Sequence, residues 1–296
     1  MDKKLIWVVK VIICIFLLVQ FYVERGKAMK IESNDLEKKA ILVVAFGTRY
    51  PSGQKALNNI QTILKNEFPD TPIYWAYTSK IIREILIKKG VSIPSPEMAL
   101  TKLIDEGYKK VYVLSLHIIP GEEYHSLYSN VKLFSLMKNE IKEIKISKPL
   151  IATYEDMEKV AEVVLKSIYL KEDEAIIFMG HGTEHPAGAI YISLNNIINN
   201  KNPKAFLATV EGHPTLDEII PKLKKQGIKT VYLMPFMVVA GDHVINDMAG
   251  DEPDSWKSIL TKEGFICKPI IKGLGENPEI VKIYICLLYT SPSPRD

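Results

Sequence analysis

The sequence contains few cysteines, and none of them have the paired spacings that would let them act together. Cys14, Cys267 and Cys286 are the three cysteines among 296 residues, so neither a disulfide framework nor a cysteine-based zinc or redox site is expected. The P-loop, the dinucleotide-binding G-x-G-x-x-G motif and the G-x-S-x-G nucleophile elbow are also missing. Their absence argues against nucleotide hydrolysis, dinucleotide chemistry and serine esterase activity.

Charge of one sign is not in excess over most of the chain. The formal net charge is +3, from 38 Lys and Arg against 35 Asp and Glu. The first 28 residues hold five of the basic and two of the acidic residues, which leaves 33 of each sign in the remainder. Such a neutral body lacks the broad basic surface that nucleic-acid binding requires. A hydrophobic content of 47% is typical of a globular chain, and the length allows two domains.

Residues 1–28 are interpreted as a signal peptide or a membrane anchor. Lys3 and Lys4 precede an apolar stretch whose uncharged core, residues 11–23, is 13 residues long. That core is short for a membrane span and fits a secretory apolar region, and Gly26 and Ala28 supply the small residues that a signal peptidase reads. We therefore expect export to the periplasm or cell envelope with cleavage near Ala28. An uncleaved anchor and a cytosolic form are the alternatives.

From residue 40 onward, short apolar runs alternate with amphipathic helical patterns. The predicted strands are residues 41–46, 73–77, 110–118, 146–151, 175–179, 205–210, 230–239 and 265–271. Buried strands separated by helices favour parallel sheets with right-handed crossovers. The pattern also repeats, because ILVVAFGT (41–48) resembles IIFMGHGT (176–183), and VYVLSLHIIPGEEY (111–124) resembles VYLMPFMVVAGDHV (231–244).

The repeat predicts an α/β fold of two similar doubly wound domains with parallel sheets and an active-site cleft between them. The N-terminal domain is predicted at residues 39–152 and the C-terminal domain, which carries the metal site, at 153–287. Residues 288–296 are interpreted as a non-native tail, because two prolines there forbid continuation of the preceding helical pattern.

Three side chains with metal-ligand chemistry follow successive predicted strands of the second half. They are His181, Glu211 and His243. The carboxyl ends of parallel strands lie side by side at one edge of a sheet, so these residues are expected to converge. Two imidazoles and one carboxylate leave coordination positions open, as in a site that passes a metal to a substrate.

The other histidines and one acidic run are given weaker roles. His117, His125, His185 and His213 are interpreted as substrate-facing, as neighbours of the ligands or as solvated residues. The acidic run at residues 247–254 is interpreted as a solvated loop, because runs of charge usually face water, and a metal-attracting lip is the alternative.

Five segments together resemble the anaerobic sirohydrochlorin cobaltochelatases of the class II chelatase family. They are MGHGTEHPA (179–187), VEGHP (210–214), MPFMVVAGDHVINDMAGDEPDSW (234–256), GLGENP (273–278) and LHIIPGEEY (116–124). The resemblance implies a bilobal lyase that inserts Co(II) into sirohydrochlorin in cobalamin biosynthesis, with Co(II) as substrate metal and without a nucleotide. It also implies that His181, Glu211 and His243 hold the metal and that His181 accepts a proton. The leader resembles that of the exported variant of the family.

Sirohydrochlorin is a porphyrin-like tetrapyrrole that carries many carboxylates, so donors near the cleft are candidate anchors. The backbone N–H groups of Gly47, Thr48, Thr78 and Ser79 are assigned to substrate binding, with Arg49, Lys80 and Arg83 as further anchors. Glu123, in the corresponding loop of the first half, is assigned to the same substrate site. A homo-oligomer is compatible with the sequence, and two other functions are kept open: an extracytoplasmic carrier of metal or tetrapyrrole, and a chelatase that prefers Fe or Ni.

Overall fold

The first sheet consists of four parallel strands in the order β2-β1-β3-β4. The structure is a computed structural model that describes Gln20, residues 38–138 and residues 141–290. The strands are β1 (Lys39–Ala45), β2 (Ile73–Tyr77), β3 (Lys110–Ser115) and β4 (Glu143–Ile146). Apart from Gln20, the predicted leader lies outside the described residues, as do residues 291–296 of the predicted tail.

Four helices connect these strands: α1 (Pro51–Glu67), α2 (Lys80–Lys88), α3 (Pro96–Asp105) and α4 (Glu122–Leu136). The predicted start of α3 is confirmed, because the Ser95 side chain accepts a hydrogen bond from the Met98 N–H and Pro96 follows at the first helical position. Ser79 caps α2 in the same way. Helices α1, α2 and α4 each follow a strand, whereas α3 follows α2 and leads into β3.

The second half repeats this arrangement in the order β6-β5-β7-β8. Its strands are β5 (Glu174–Gly182), β6 (Ala205–Glu211), β7 (Thr230–Pro235) and β8 (Ile266–Pro269), all parallel. Its helices are α5 (Tyr154–Leu165), α6 (Ala189–Lys201), α7 (Leu216–Lys225), α8 (Trp256–Lys262) and α9 (Pro278–Tyr289). The predicted capping box of Thr215 and Glu218 is present at α7. A π-helical turn, Val244–Met248, follows β7.

Alternate residues of the central strands pack into different cores. In β1, Ile41 and Val43 join a central core that also contains Ile176 and Phe178 of β5. Their neighbours face outer cores that are separate for the two sheets. Helices α1, α5, α6 and α9 contribute to the central core, so helices lie between the two sheets as well as outside them. The predicted doubly wound α/β fold is confirmed.

Several boundaries differ from the prediction: β3 ends at Ser115 rather than at residue 118, β7 ends at Pro235 rather than at residue 239, and β5 extends to Gly182. Strand β4 spans Glu143–Ile146 rather than residues 146–151, because Pro149 has no N–H for a regular ladder and the Ser147 hydroxyl accepts the Ser115 N–H. Helix α9 continues to Tyr289, and the buried side chain of Leu288 joins the central core. Leu288 and Tyr289 thus belong to this helix, and the non-native origin of residues 288–296 stays a prediction.

The last helix crosses back to the first half. The hydroxyl of Tyr284 on α9 donates to the Leu116 carbonyl at 3.1 Å, and its side chain is fully buried. Both sheets therefore share one central core, and the division into domains at residues 39–152 and 153–287 stays a prediction. Among the described residues, no helix has the length and apolar character needed to span a membrane.

Candidate metal and substrate site

The three predicted metal-binding side chains lie together at the carboxyl edge of the second sheet. His181 and Glu211 occupy the ends of the neighbouring strands β5 and β6, and His243 directly precedes the π-helical turn after β7. Nδ1 of His181 is 4.0 Å from Oε2 of Glu211. The rings of His181 and His243 lie 4.7 Å apart between centroids and are nearly perpendicular, at 89°.

A glycine permits this close approach of β5 and β6. Gly182 has a φ of +82°, which side-chain-bearing residues rarely adopt. A Cβ at this position would lie only 1.6 Å from the backbone oxygen of Glu211. Gly182 therefore lets the two strand ends approach closely enough to bring His181 and Glu211 together.

Hydrogen bonds fix which nitrogen of each imidazole is open. Nδ1 of His181 lies 3.0 Å from the Gly182 carbonyl, which can only accept, so this nitrogen carries the proton. Nδ1 of His243 lies 2.5 Å from Oδ2 of Asp247 and donates to it in the same way. Both rings thus keep the lone pair of Nε2 for a metal ion or a proton.

Asp247 contacts the candidate site in a way that the sequence reasoning did not predict. It was interpreted as part of a solvated acidic loop, yet it orients His243 as carboxylates commonly orient metal-binding histidines. The spacing of four residues between His243 and Asp247 could have indicated the contact, because residues four apart lie on one face of a helix. Asp251 of the same run is exposed and bonds instead to the partly buried Lys257.

The three side chains are neighbours without closing around a common point. Within residues 38–138 and 141–290, no three His, Cys, Asp or Glu side chains are placed to hold one ion together. The side chains of His181, Glu211 and His243 are 45%, 56% and 37% exposed, so each has room to rotate. The arrangement is an open site that a metal can enter and leave, and the ligand roles of these residues stay predictions.

The first-half residues assigned to substrate binding divide into two groups. The backbone N–H groups of Thr78 and Ser79 donate to the carbonyls of Ala45 and Phe46, so the prediction that they anchor substrate carboxylates is wrong for these atoms. The β1–β2 ladder uses them instead, and the Ser79 hydroxyl caps α2. Gly47 and Thr48 lie at the end of β1, and Glu123 is exposed in the first turn of α4. These three residues stay candidates.

Arg49 is not the free substrate anchor that the sequence suggested. Its guanidinium is paired with Asp242 at 2.6 Å, and the Tyr50 hydroxyl donates to the same carboxylate. The hydrogen bonds from Tyr50 and Arg49 lower the pKa of Asp242 below its ordinary value. Lys80 extends into solvent near Glu84, and Arg83 is partly buried on α2. The Arg49–Asp242 pair joins the loop after β1 to the loop after β7, next to His243.

The remaining histidines have distinct environments. His117 is buried, its Nδ1 is bonded to the Ser115 hydroxyl, and burial lowers its pKa to about 4. His213 is exposed and bonded to Glu218, whose pKa it lowers. The rings of His125 and His185 contact each other across the two halves, with centroids 5.4 Å apart. His185 also caps the short turn Pro186–Gly188, where its Nδ1 accepts the Ala187 N–H.

The fold and the open histidine-carboxylate site define a chelatase architecture. SirB from Bacillus subtilis, solved with Fe3+, matches with a TM-score of 0.58 and 14% identity over 85% of this chain and 94% of that chain. The sirohydrochlorin chelatase SirB from Bacillus subtilis subspecies spizizenii, in complex with cobalt, matches with a TM-score of 0.55 and 13% identity over the same shares. At these identities the likeness shows the fold alone.

Sequence comparison then defines the family. The model of the cobalt chelatase family CbiK matches residues 39–291. The sirohydrochlorin cobaltochelatase CbiKC of Nitratidesulfovibrio vulgaris is 38% identical over 263 residues, covering 88% of this chain and 93% of that protein. The sirohydrochlorin cobaltochelatase of Salmonella typhimurium is 36% identical over 255 residues, covering 85% and 96%. The chain belongs to the cobalt chelatase (CbiK) family, which confirms the resemblance seen in its motifs.

Proposed function

We propose that this protein inserts Co(II) into sirohydrochlorin without a nucleotide, as a metal chelatase of cobalamin biosynthesis. The observation that carries the proposal is the cluster of His181, Glu211 and His243 at the carboxyl edge of the second sheet, in a chain whose family is that of the cobalt chelatases. Two imidazoles and a carboxylate suit a borderline divalent ion such as Co(II).

The geometry supports a division of labour among these residues. Metal insertion replaces two pyrrole N–H protons with one divalent ion, so the site must release the ion and accept protons. Nε2 of His181 and Nε2 of His243 carry lone pairs because their Nδ1 atoms donate to Gly182 and Asp247. The two imidazoles and Glu211 hold the ion. As the ion moves to the ring nitrogens, the freed Nε2 of His181 takes one of the two pyrrole protons, and the other passes to water at this solvent-exposed site. The open coordination positions admit those nitrogens.

The experiment is a spectroscopic assay of purified protein with sirohydrochlorin, Co(II) and no nucleotide. We expect catalysed conversion of the absorbance spectrum of the free macrocycle to that of its cobalt complex. Parallel reactions with Ni(II), Fe(II) and Zn(II) measure the metal preference, which two histidines and one glutamate do not set by affinity alone. Binding of sirohydrochlorin without turnover for any of these metals would contradict the enzyme and favour a carrier.

We further propose that residues 1–28 direct export and that the mature protein works in the periplasm or cell envelope. The support is the short apolar core followed by the small residues Gly26 and Ala28. Mass spectrometry of protein from an exporting host should give a mature N-terminus near residue 29. Recovery of an intact Met1 in the membrane fraction would instead favour the anchored form.

A further inference from the structure

Two contacts between side chains in loops of the two halves differ in kind: one is hydrogen-bonded, and the other is a contact between two rings. In one, Arg49 and Tyr50 both donate to Asp242. In the other, the rings of His125 and His185 lie 5.4 Å apart, tilted by 41°. His125 lies in the first turn of α4 after β3, and His185 lies in the loop after β5. Both contacts are therefore formed by loops at the carboxyl ends of strands.

The sequence repeat relates the two contacts to each other. Aligning GT of residues 47–48 with GT of residues 182–183 places Tyr50 at the position of His185. Aligning PG of residues 120–121 with AG of residues 240–241 places Glu122 at the position of Asp242. The Tyr50–Asp242 contact thus has a counterpart around His185 and the start of α4, where His125 supplies the contacting ring in place of a carboxylate.

The histidine contact leaves donors unused. Across the described parts of the chain, the rings share no hydrogen bond, and neither the His125 ring nor Nε2 of His185 has a hydrogen-bond partner. The N–H of Ala187 donates to Nδ1 of His185 at 3.1 Å, so Nδ1 is the acceptor and Nε2 carries the proton of the neutral ring. His185 is therefore held as a hydrogen-bond donor rather than as a metal ligand, because a metal needs a lone pair where this ring has N–H.

We infer that His125 and His185, one from each half of the chain, together bind a carboxylate of the substrate. The inference rests on the proposed function, because it names the substrate group that this pair recognises. Two donors that converge from separate halves match the two oxygens of a carboxylate. Glu122, Glu123 and Glu184 flank the pair, so loss of either imidazole leaves an acidic surface that repels the substrate.

The test measures binding of metal-free sirohydrochlorin by its fluorescence, so that metal chemistry does not enter. We expect His125→Ala and His185→Ala each to raise the dissociation constant about tenfold or more, as for loss of a hydrogen bond to a charged group. The same variants should raise KM and leave kcat within about twofold of the wild-type value, since neither residue is assigned to the metal. His185→Gln keeps an N–H donor and should restore part of the affinity, and His213→Ala is the matched control that removes an exposed imidazole elsewhere.

Methyl-esterified sirohydrochlorin is the second probe, because its ester groups carry no negative charge. Wild-type protein and both alanine variants should bind it with equal affinity. The inference would be overturned, without affecting the proposed function, if wild type and variants bound the free acid with equal affinity. It would also be overturned if the variants lost affinity for the acid and for the ester to the same extent. Failure of the wild type to bind sirohydrochlorin would overturn the proposed function as well. A final titration uses Co(II) without sirohydrochlorin. If His125→Ala bound one equivalent of Co(II) fewer than the wild type, the histidine pair would be a cation site and the inference would be overturned.

Discussion

The two halves of this protein share a topology but place different side chains at equivalent strand ends. The repeat aligns Phe46 of the first half with His181 of the second. The same repeat aligns Ala45 with Gly180. Their partners on the neighbouring strands are Tyr77 and Thr209, so these two positions correspond, and two residues further on Ser79 corresponds to Glu211. Glu123 aligns with His243 through the second repeated segment. The first half therefore has one carboxylate where the second half has two imidazoles and a carboxylate.

The comparison separates what the fold requires from what the chemistry requires. Both sheets need apolar strands, helix caps and glycines at the turns, and both halves have them. Only the second half has the donor set for a borderline divalent ion. Phe46 is half exposed where His181 stands in the other half, so the first half presents an apolar surface at the cleft. The candidate metal site thus depends on side chains at the ends of β5 and β6 and in the loop after β7 rather than on the fold.

The largest expected effect comes from removing the imidazoles that distinguish the second half. His181→Ala and His243→Ala should each lower the rate of cobalt insertion by more than the 10–100-fold typical for residues that only orient a ligand. Both side chains are partly exposed, so circular dichroism and Tm should stay close to wild type. His213→Ala serves as the control. Turnover at the wild-type rate in either variant would remove that residue from the site.

The next largest effect concerns the stability of the fold and tests His117 of the first half, which is buried where the metal-site histidines are partly exposed. His117 is buried, and its pKa of about 4 in the folded state lies below the ordinary 6.5. The unfolded chain therefore binds the extra proton first, and stability falls as the pH drops from about 6.5 to 4, by about 3 kcal/mol in total. His117→Met introduces the residue found at the equivalent position, Met237, and should flatten this dependence. Urea unfolding between pH 4 and 7.5 measures it.

Two outcomes define that measurement. At neutral pH we expect the variant to be somewhat less stable, because the buried Ser115 hydroxyl loses its partner. A wild-type slope that persists in the variant would show that other groups bind the protons. Following the rate and circular dichroism in the same pH series separates loss of activity from loss of the fold.

A smaller effect tests the carboxylate behind His243. Asp247→Asn keeps the shape of the side chain but removes the charge that holds the imidazole, and we expect about 10–100-fold weaker metal binding or activity. Asp251→Asn is the matched control, because that carboxylate is in the same acidic run and contacts only Lys257. Equal metal affinity in the two variants, measured by titration with Co(II), would return Asp247 to the role of a solvated loop residue.

The sequence could predict what is encoded locally. The capping box at Thr215, the start of α3 at Ser95 and the strand ends that carry His181 and Glu211 depend on residues close together in the chain. Parallel topology then brings the strand ends to one edge without knowledge of any side-chain contact. The fold and the grouping of the three metal-ligand candidates follow from these local signals.

What the sequence could not predict are contacts between distant residues. The sequence predicts Arg49 as an anchor because it lies at a helix start and the expected substrate carries carboxylates, whereas its partner Asp242 lies 193 residues away. The sequence also predicts that the backbone N–H groups of Thr78 and Ser79 bind substrate. The structure uses them to extend the β1–β2 hydrogen bonds beyond the strand, and this extension is set by tertiary packing. The meeting of His125 and His185 likewise depends on how the two halves pack.

The smallest expected effect concerns the ion pair that joins the halves beside the metal site. Asp242→Asn should lower Tm by no more than about 3 °C, because the pair is exposed and solvent screens it. The pKa of Asp242 is lowered in the folded state. The charged carboxylate therefore stabilises the fold above the ordinary carboxyl pKa, and this stabilisation is lost as the pH falls from there through the lowered pKa of the folded state. The difference in Tm between wild type and variant should therefore vanish at acid pH, where the background loss from His117 cancels in the comparison. Arg49→Gln should behave in the same way, and additive effects in the double variant would show that the two side chains act separately rather than as a pair.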